Sequence, residues 1–360
     1  MSFGSWRRIG VVAAVAAALA LTGCSAGAAG DGGAAGETKT SGISVALSNG
    51  FVNGWRLTLI DKFEKEAEKL KKDGVVSKYT TVNAPGENSA TEQASQIRSL
   101  VLQKPDMLVV IPASSTALVP AVQEACDAGI TVLVLDADMK APCAHIVRND
   151  YAKWGEVSLV PALKAIGGKG DIIINRGVIG SQPEEEFNKR QHEILKDYPD
   201  VKVAAEVNGY CDGSTAQKEI VSVLGSLPTI AAVPGCIGGM GVVQAFESAG
   251  RPDPVVVFDT DGKSLKFWKD KGIDNGSFAA LTDPGQGVAA LYVGLELLAG
   301  KKVPSTVVLP LLEIGQSDLD HWVNALSADE YAAYPWDKKS VEAAIAAVAD
   351  GKDAEAPALK

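Results

Sequence analysis

Between Gly50 and Leu57 the chain places an aromatic ring (Phe51), an amide (Asn53), an indole (Trp55) and a planar cation (Arg56) within a few residues of one another. Flat apolar faces beside an amide and a guanidinium suit a small polar molecule with apolar C–H faces, such as a sugar. Gly50 and Gly54 relax the backbone between them. A second reading has Trp55 packing on the core as it opens a helix, with Arg56 in solvent. Two carboxylates, Asp136 and Asp259, each follow an apolar run of strand length. There a carboxylate can accept from a pair of hydroxyls or cap the helix that comes next. Asp261 is the alternative to Asp259. Catalytic chemistry finds little material. The three histidines, His145, His192 and His321, lie far apart and show no metal-ligand spacing. The glycine-rich turn Gly235 to Gly241 lacks both nucleotide-binding spacings. No metal or cofactor is implied.

Such a loop must be held by strands and helices, and the composition allows them. With 360 residues, 46% of them apolar, two cores of ordinary size are expected. The first residues have a different task. Arg7 and Arg8 precede an uncharged run from Ile9 to Leu21, too short to span a bilayer and shaped like a secretory signal. It ends in Leu21-Thr22-Gly23-Cys24, which resembles the bacterial lipobox. This implies that residues 1–23 are removed and that Cys24 becomes a lipid anchor, and so places the protein outside the cytoplasm at the cell membrane. A soluble secreted protein cut nearby is the other reading. Residues 24–42 are rich in Gly, Ala, Ser and Thr and read as a flexible tether.

The formal charge of −10 becomes more negative without Arg7 and Arg8. An acidic surface without a basic cluster argues against nucleic acid and against electrostatic binding to anionic lipid. The four cysteines after Cys24 fit two disulfides in an oxidising compartment. The sequence does not fix their pairing. Cys126 and Cys143 bracket one strand and its loop, a closure contributing on the order of 3 kcal/mol, which would leave Cys211 with Cys236.

From Ile43 onward apolar runs of strand length alternate with segments of helical spacing. Ile43 to Leu47 is followed by a helix carrying Ile60, Phe63, Ala67 and Leu70, which Gly74 can end. Lys78 to Val82, Met107 to Ile111 and Ile130 to Leu135 continue the strand series, and Ser89-x-x-Glu92 predicts a capping box. The pattern starts again with Asp171 to Asn175, Val201 to Val207, Ile230 to Val233, Val255 to Phe258 and Ser277 to Leu281. A helix over Gln286 to Leu298 and a strand over Ser305 to Leu309 come last. Uninterrupted apolar strands alternating with helices predict an α/β fold of two doubly wound parallel-sheet lobes. Residues 43–149 plus 283–311 would form the N-terminal lobe and residues 150–282 the C-terminal lobe. Residues 312–360 would pack on the lobes and hinge, with a frayed tail. Crossings are expected near Asn149, near Asp283 and near Leu311 to Gly315, and several crossings make a hinge that can close on a ligand.

Taken in order, these pieces resemble the extracytoplasmic solute-binding lipoproteins of sugar ABC importers, the ribose and galactose group of the periplasmic-binding-protein type I fold. The resemblance covers about Ile43 to Ile314. It is carried by Asn53-Gly54-Trp55-Arg56, Gln93-x-x-Gln96-Ile97, Lys104-Pro105-Asp106, Val109 to Pro112, Ala128-Gly129-Ile130, Leu135-Asp136, Asn149-Asp150 with Gly155, Gln244-Ala245-Phe246 with Ala249-Gly250-Arg251, and Asp283-Pro284-Gly285-Gln286-Gly287. It implies a monomeric receptor, not an enzyme, that captures a carbohydrate-like solute between its lobes and delivers it to the transmembrane permease subunits of an ABC importer. Ligand contacts would fall on Asn53, Trp55, Arg56, Asp136 and Asp259, with Thr282 or Asp283 beside the crossing. Phe51, Asp150, Tyr210, Asp212 and Asp261 complete the candidate set.

The departures bear on specificity. Ala137 follows Asp136 where the family has arginine, and Phe187 falls where a second arginine is usual. Cys211, next to Tyr210, stands at the aromatic position before Asp212. Two missing arginines argue against a plain ribose-like site. Rival functions are a receptor for a nucleoside or signalling furanose, a sugar-sensing partner of a kinase or chemoreceptor, and a glycoside hydrolase using Asp136 and Asp259.

Overall fold

A computed structural model describes residues 38–86 and 89–359. The expected leader, Cys24 and most of the tether lie outside the described residues. The chain opens with β1 (Ile43–Asn49), α1 (Gly54–Lys72), β2 (Val76–Asn83), α2 (Ala90–Val101), β3 (Met107–Ile111), α3 (Val119–Asp127), β4 (Thr131–Leu135) and β5 (His145–Asn149). Two short helices, α4 (Tyr151–Val157) and α5 (Val160–Ala165), lead to β6 (Gly170–Arg176), α6 (Gln182–Leu195), β7 (Val201–Asn208), α7 (Gly213–Leu224), β8 (Ile230–Val233), α8 (Gly239–Ser248), β9 (Val255–Phe258), α9 (Gly262–Lys271) and β10 (Phe278–Leu281). Then follow α10 (Gln286–Leu298), β11 (Thr306–Leu309), β12 (Leu312–Ile314), α11 (Leu319–Ala325) and α12 (Lys338–Ala349).

The strands form two sheets, ordered β11-β5-β4-β3-β1-β2 and β12-β10-β9-β8-β6-β7. All pairs are parallel except β10 with β12. The central strand β3 is buried on every residue, as helices on both faces require. The edge strands β2 and β7 are mostly exposed or half-buried, with one buried residue each, Val76 and Val207. Helix α10, buried from Gln286 through Gly294, is apolar nearly all round because it packs on β3, β4 and β5 of the first sheet and against both α1 and α12. The fold is thus α/β, two doubly wound sheets with the chain passing between them after β5, after β10 and after β11.

Each sheet reverses its strand order beside its first strand, between β1 and β3 and between β6 and β8. Ligand crevices of open α/β sheets lie at such points, outside the carboxyl ends of the strands. Although sequence identities do not repeat between the halves, the two reversal points are built alike. A buried asparagine ends β1 (Asn49) and sits near the end of β6 (Asn175), and its amide holds the adjoining turn. Asn49 donates to the carbonyl of Phe51; Asn175 donates to Cys236 and Ile237 at 2.9 Å each. A glycine lets the backbones close up: a Cβ on Gly50 would lie 2.3 Å from the Ala113 nitrogen, and one on Gly235 2.1 Å from the Asn175 carbonyl oxygen.

One local expectation fails. Helix α2 begins after Ser89, but the Ser89 hydroxyl makes no cap bond; it accepts instead from the Gly86 N–H at 2.7 Å. The turn before the helix competes for the same oxygen. The strand Leu312–Ile314, expected as a mere crossing, adds an antiparallel edge to the second sheet.

Candidate functional site

The turn after β1 presents its residues from a capped helix end. Asn53 accepts from the Arg56 N–H at 2.9 Å as N-cap of α1, leaving its own side chain otherwise exposed. Trp55 and Arg56 are 8% and 7% exposed. Arg56 donates to Asn49 Oδ1 at 2.9 Å, and its guanidinium lies 3.7 Å over the Phe51 ring. Asp136, just after β4, has a left-handed backbone with φ of 54°, a conformation uncommon outside glycine. Tyr151 donates to it at 3.3 Å. Burial pushes the Asp136 pKa up while the Arg56 charge and the neighbouring Gln286 amide pull it down. Phe51, Arg56, Asp136, Tyr151 and Gln286 therefore form one polar wall.

The second wall centres on Asp259, which follows β9 and is 7% exposed. Burial first, and then the nearby charge of Asp261, push its pKa up to about 8, against the backbone N–H groups of Gly238 and of Asp259 itself. Asp212 and Asp261 flank it but are committed elsewhere. Asp212 accepts from Thr215 N and Oγ1 at 2.8 Å each as cap of α7. Asp261 accepts from Ser264 N at 2.9 Å and Oγ at 2.8 Å as cap of α9. Tyr210, 48% exposed, and Cys211 both have φ above +50°. The disulfide from Cys211 to Cys236 ties their turn to the turn after β8. The second disulfide joins Cys126 to Cys143.

Several sequence candidates have structural duties. Asp150 is exposed and accepts from the Lys153 N–H at 2.9 Å as cap of α4. Asp283 is fully buried, and both of its oxygens are occupied: by Gly285 N at 2.8 Å and Tyr334 N at 3.1 Å, and by Trp336 Nε1 at 2.7 Å. Asp283 thus ties the crossing to the C-terminal segment. Thr282 contributes its carbonyl to Trp55 Nε1 at 2.9 Å. Phe187 packs 4.7 Å from Trp154 in the core, and Gly155 lets the two helices touch, since a Cβ there would lie 2.3 Å from the Phe187 carbonyl oxygen.

Three site neighbours, Tyr151, Gln286 and Tyr331, escaped the sequence reading. Gln286 stood inside the quoted Asp283-Pro284-Gly285-Gln286-Gly287 string, so its signal was present; Tyr331 lies outside every motif. Its ring covers Gly54, where a Cβ would be 2.9 Å from Tyr331 Cε2. The charges of Asp259, Asp261 and Asp212 act on its phenol. Tyr331 thus links the two walls. Asp138 in the first half and Gln182 in the second also meet, at 2.7 Å. Among the described residues no group of metal-ligating side chains occurs, and no helix is long and apolar enough to cross a membrane.

The model of the periplasmic binding protein domain matches residues 44–302. The chain belongs to the periplasmic binding protein family. Among its relatives, the xylitol-binding protein of Mycolicibacterium smegmatis is 29% identical over 84% of this chain and 80% of that protein. The ribose import binding protein of Bacillus subtilis is 27% identical over 76% of this chain and 86% of that protein. A solved ABC transporter solute binding protein from Thermobispora bispora is 49% identical, with a TM-score of 0.81, and covers 88% of this chain and 99% of that one. A second, from Actinobacillus succinogenes with bound D-allose, shares 21% identity at a TM-score of 0.69 over 78% of this chain and 99% of that one, a likeness of fold.

Proposed function

We propose that this periplasmic binding protein captures a neutral, polyhydroxylated solute, a sugar or sugar alcohol, between its two walls and hands it to the permease of an ABC importer. The observation that carries this is Asp259. It is a buried carboxyl group following β9 whose hydrogen-bond donors are backbone N–H groups, and its charge acts on the phenol of Tyr331. A buried carboxyl group without a counter-charge or side-chain partner is costly to ionise, and hydroxyls of a bound solute would satisfy its oxygens. Arg56 and Asp136, with Asn53, Phe51 and Trp55 beside them, take the opposite edge of the solute, and Tyr210 and Asp212 lie at the rim of the second wall. The names of the relatives, which bind xylitol and ribose, support the solute class.

The lobes are read as residues 43–149 with 283–311 and residues 150–282. A solute gripped by both favours the closed arrangement by its differential affinity, and the permease reads that arrangement. The protein acts outside the cytoplasm as a monomer, in keeping with its disulfides, and Cys24 anchors it to the membrane by a lipid. Mass spectrometry of the mature N-terminus tests the anchor.

Calorimetric titration of the mature chain with pentoses, hexoses, pentitols, hexitols and nucleosides tests the solute class. Micromolar or tighter binding of a sugar or polyol is expected. Exclusive binding of a nucleoside, or turnover of a glycoside, would overturn it.

A further inference from the structure

The family match ends at residue 302, yet the chain continues and crosses the site. Residues 326–337 run as a strap between α11 and α12. On the second half, Gly262 N donates to the Glu330 carbonyl at 3.0 Å, Lys263 N to Ala328 at 2.8 Å, and Ala332 N to the Thr260 carbonyl at 2.9 Å, with Tyr331 bridged to Asp261. On the first half, Tyr331 N donates to Thr58 Oγ1 of α1 at 3.1 Å, and Lys62 pairs with Glu330 at 3.2 Å. At the crossing the strap donates to Asp283 twice, through Tyr334 N and Trp336 Nε1. It therefore ties both halves and the hinge, with the Asp259–Asp261 turn at its centre.

We propose that the strap supplies a specificity-determining residue, Tyr331, whose hydroxyl donates a hydrogen bond to an oxygen of the bound solute. The inference rests on the receptor reading above and deepens it. The ring is fixed in place: its backbone is held on both sides, and its edge rests on Gly54, where any side chain would intrude. Among the described residues its hydroxyl makes no hydrogen bond, although the phenol is only partly exposed. Burial first, and then the charges of Asp259, Asp261, Asp212 and Asp329, hold the phenol in its protonated, donating form. Asp259 accepts and Tyr331 donates, so the second wall offers an acceptor beside a donor. Adjacent carbons bearing hydroxyls present the complementary pair, which fits a vicinal polyol better than a deoxygenated or N-substituted solute.

Tyr331→Phe in the full mature chain tests this, with the sugar and polyol panel titrated against wild type and variant. The ligand-free melting temperature should stay within about 2 °C of wild type, since no protein bond is lost. Affinity for the preferred solute should fall about tenfold, the scale of one hydrogen bond. The loss should disappear against the deoxy analogue lacking the hydroxyl that Tyr331 reads. Gly54→Ala, which displaces the ring without touching the phenol, should weaken the same solute. Wild type that binds solutes while Tyr331→Phe keeps its affinity and rank order within twofold overturns this inference alone. Wild type that binds no sugar or polyol overturns the receptor reading and this inference with it.

Discussion

The indole N–H of Trp55, at the start of α1, donates to the carbonyl of Thr282, at the end of β10, across 2.9 Å. The residue chosen from sequence as a solute-stacking ring is thereby also a bond between the first and second halves. Removing only the N–H separates these roles. Trp55→Phe keeps an aromatic face and leaves a buried carbonyl without its donor, which costs about 1–3 kcal/mol. Urea denaturation of the ligand-free chain should show that loss, and solute affinity should fall with it. Unchanged stability would mean that the carbonyl finds another donor and that the bond between the halves is dispensable.

Asp259 gives a pH signature whose sign is fixed by its environment. Its folded pKa, about 8, lies above the ordinary value of 3.8, so the folded chain holds the proton more tightly than the unfolded one. The contribution of this group is most favourable below about pH 4, declines as pH rises to about 8 and is constant above that. Asp259→Asn removes the decline. The ligand-free variant should be more stable than wild type at pH 9 by on the order of a few kcal/mol, with the advantage shrinking toward pH 4. At every pH it should bind solute more weakly. Such a gain in stability against a loss in function is expected where a site is built from a desolvated charge.

The two disulfides close loops of similar size, 17 and 25 residues, so their removal should cost comparable stability, roughly 3 kcal/mol each. Their positions differ. Cys126 to Cys143 joins the end of α3 to the loop before β5. Cys211 to Cys236 joins the turn of Tyr210 and Asp212 to the turn that aims the Gly238 N–H at Asp259. Calorimetry of Cys126→Ala/Cys143→Ala and Cys211→Ala/Cys236→Ala should show melting temperatures lowered in both and solute affinity lowered several-fold in the second only. Equal affinity losses would remove the special status of the Cys211 turn.

Much of the architecture was legible because buried parallel strands are short apolar runs. Met107–Ile111, Ile230–Val233 and Val255–Phe258 needed nothing beyond their composition, and α10 announced itself by its length. Ser89 misled, since the same hydroxyl serves a turn or a cap and the choice depends on Gly86. The site was harder. Asn53, Asp150, Asp212 and Asp261 are each helix caps, and a carboxylate after a strand reads alike whether it caps or waits for a ligand. Asp136 and Asp259, the two uncapping carboxylates, separate from the others only by their surroundings. Asp283 sits in a motif but spends itself on Trp336, about fifty residues later in sequence. Tyr331 reaches the site by a tertiary path that no local period encodes.

Gln93 carries the last prediction, because it explains how the turn after β1 stays in register. Wholly buried on α2, its amide nitrogen donates to the Ile111 carbonyl at 3.0 Å and approaches the Ser48 carbonyl and hydroxyl at 3.3 Å. Its oxygen accepts from Ala113 N at 2.7 Å. One side chain thus clamps the ends of β1 and β3, where Gly50 rests on Ala113 and the Phe51 to Arg56 turn departs. Gln93→Leu fills the space but leaves the Ala113 N–H without its acceptor and the Ile111 carbonyl with the Gly50 N–H alone, a cost of about 1–3 kcal/mol. Gln93→Glu is worse, since it keeps the acceptor but turns a buried charge toward two carbonyls. Hydrogen exchange should show lost protection at Gly50, whose N–H donates to the same Ile111 carbonyl, and solute affinity should drop in both variants. If Gln93→Glu matches wild type in stability, the amide nitrogen is not the clamp, and the register of the turn must come from the packing of Gly50 alone.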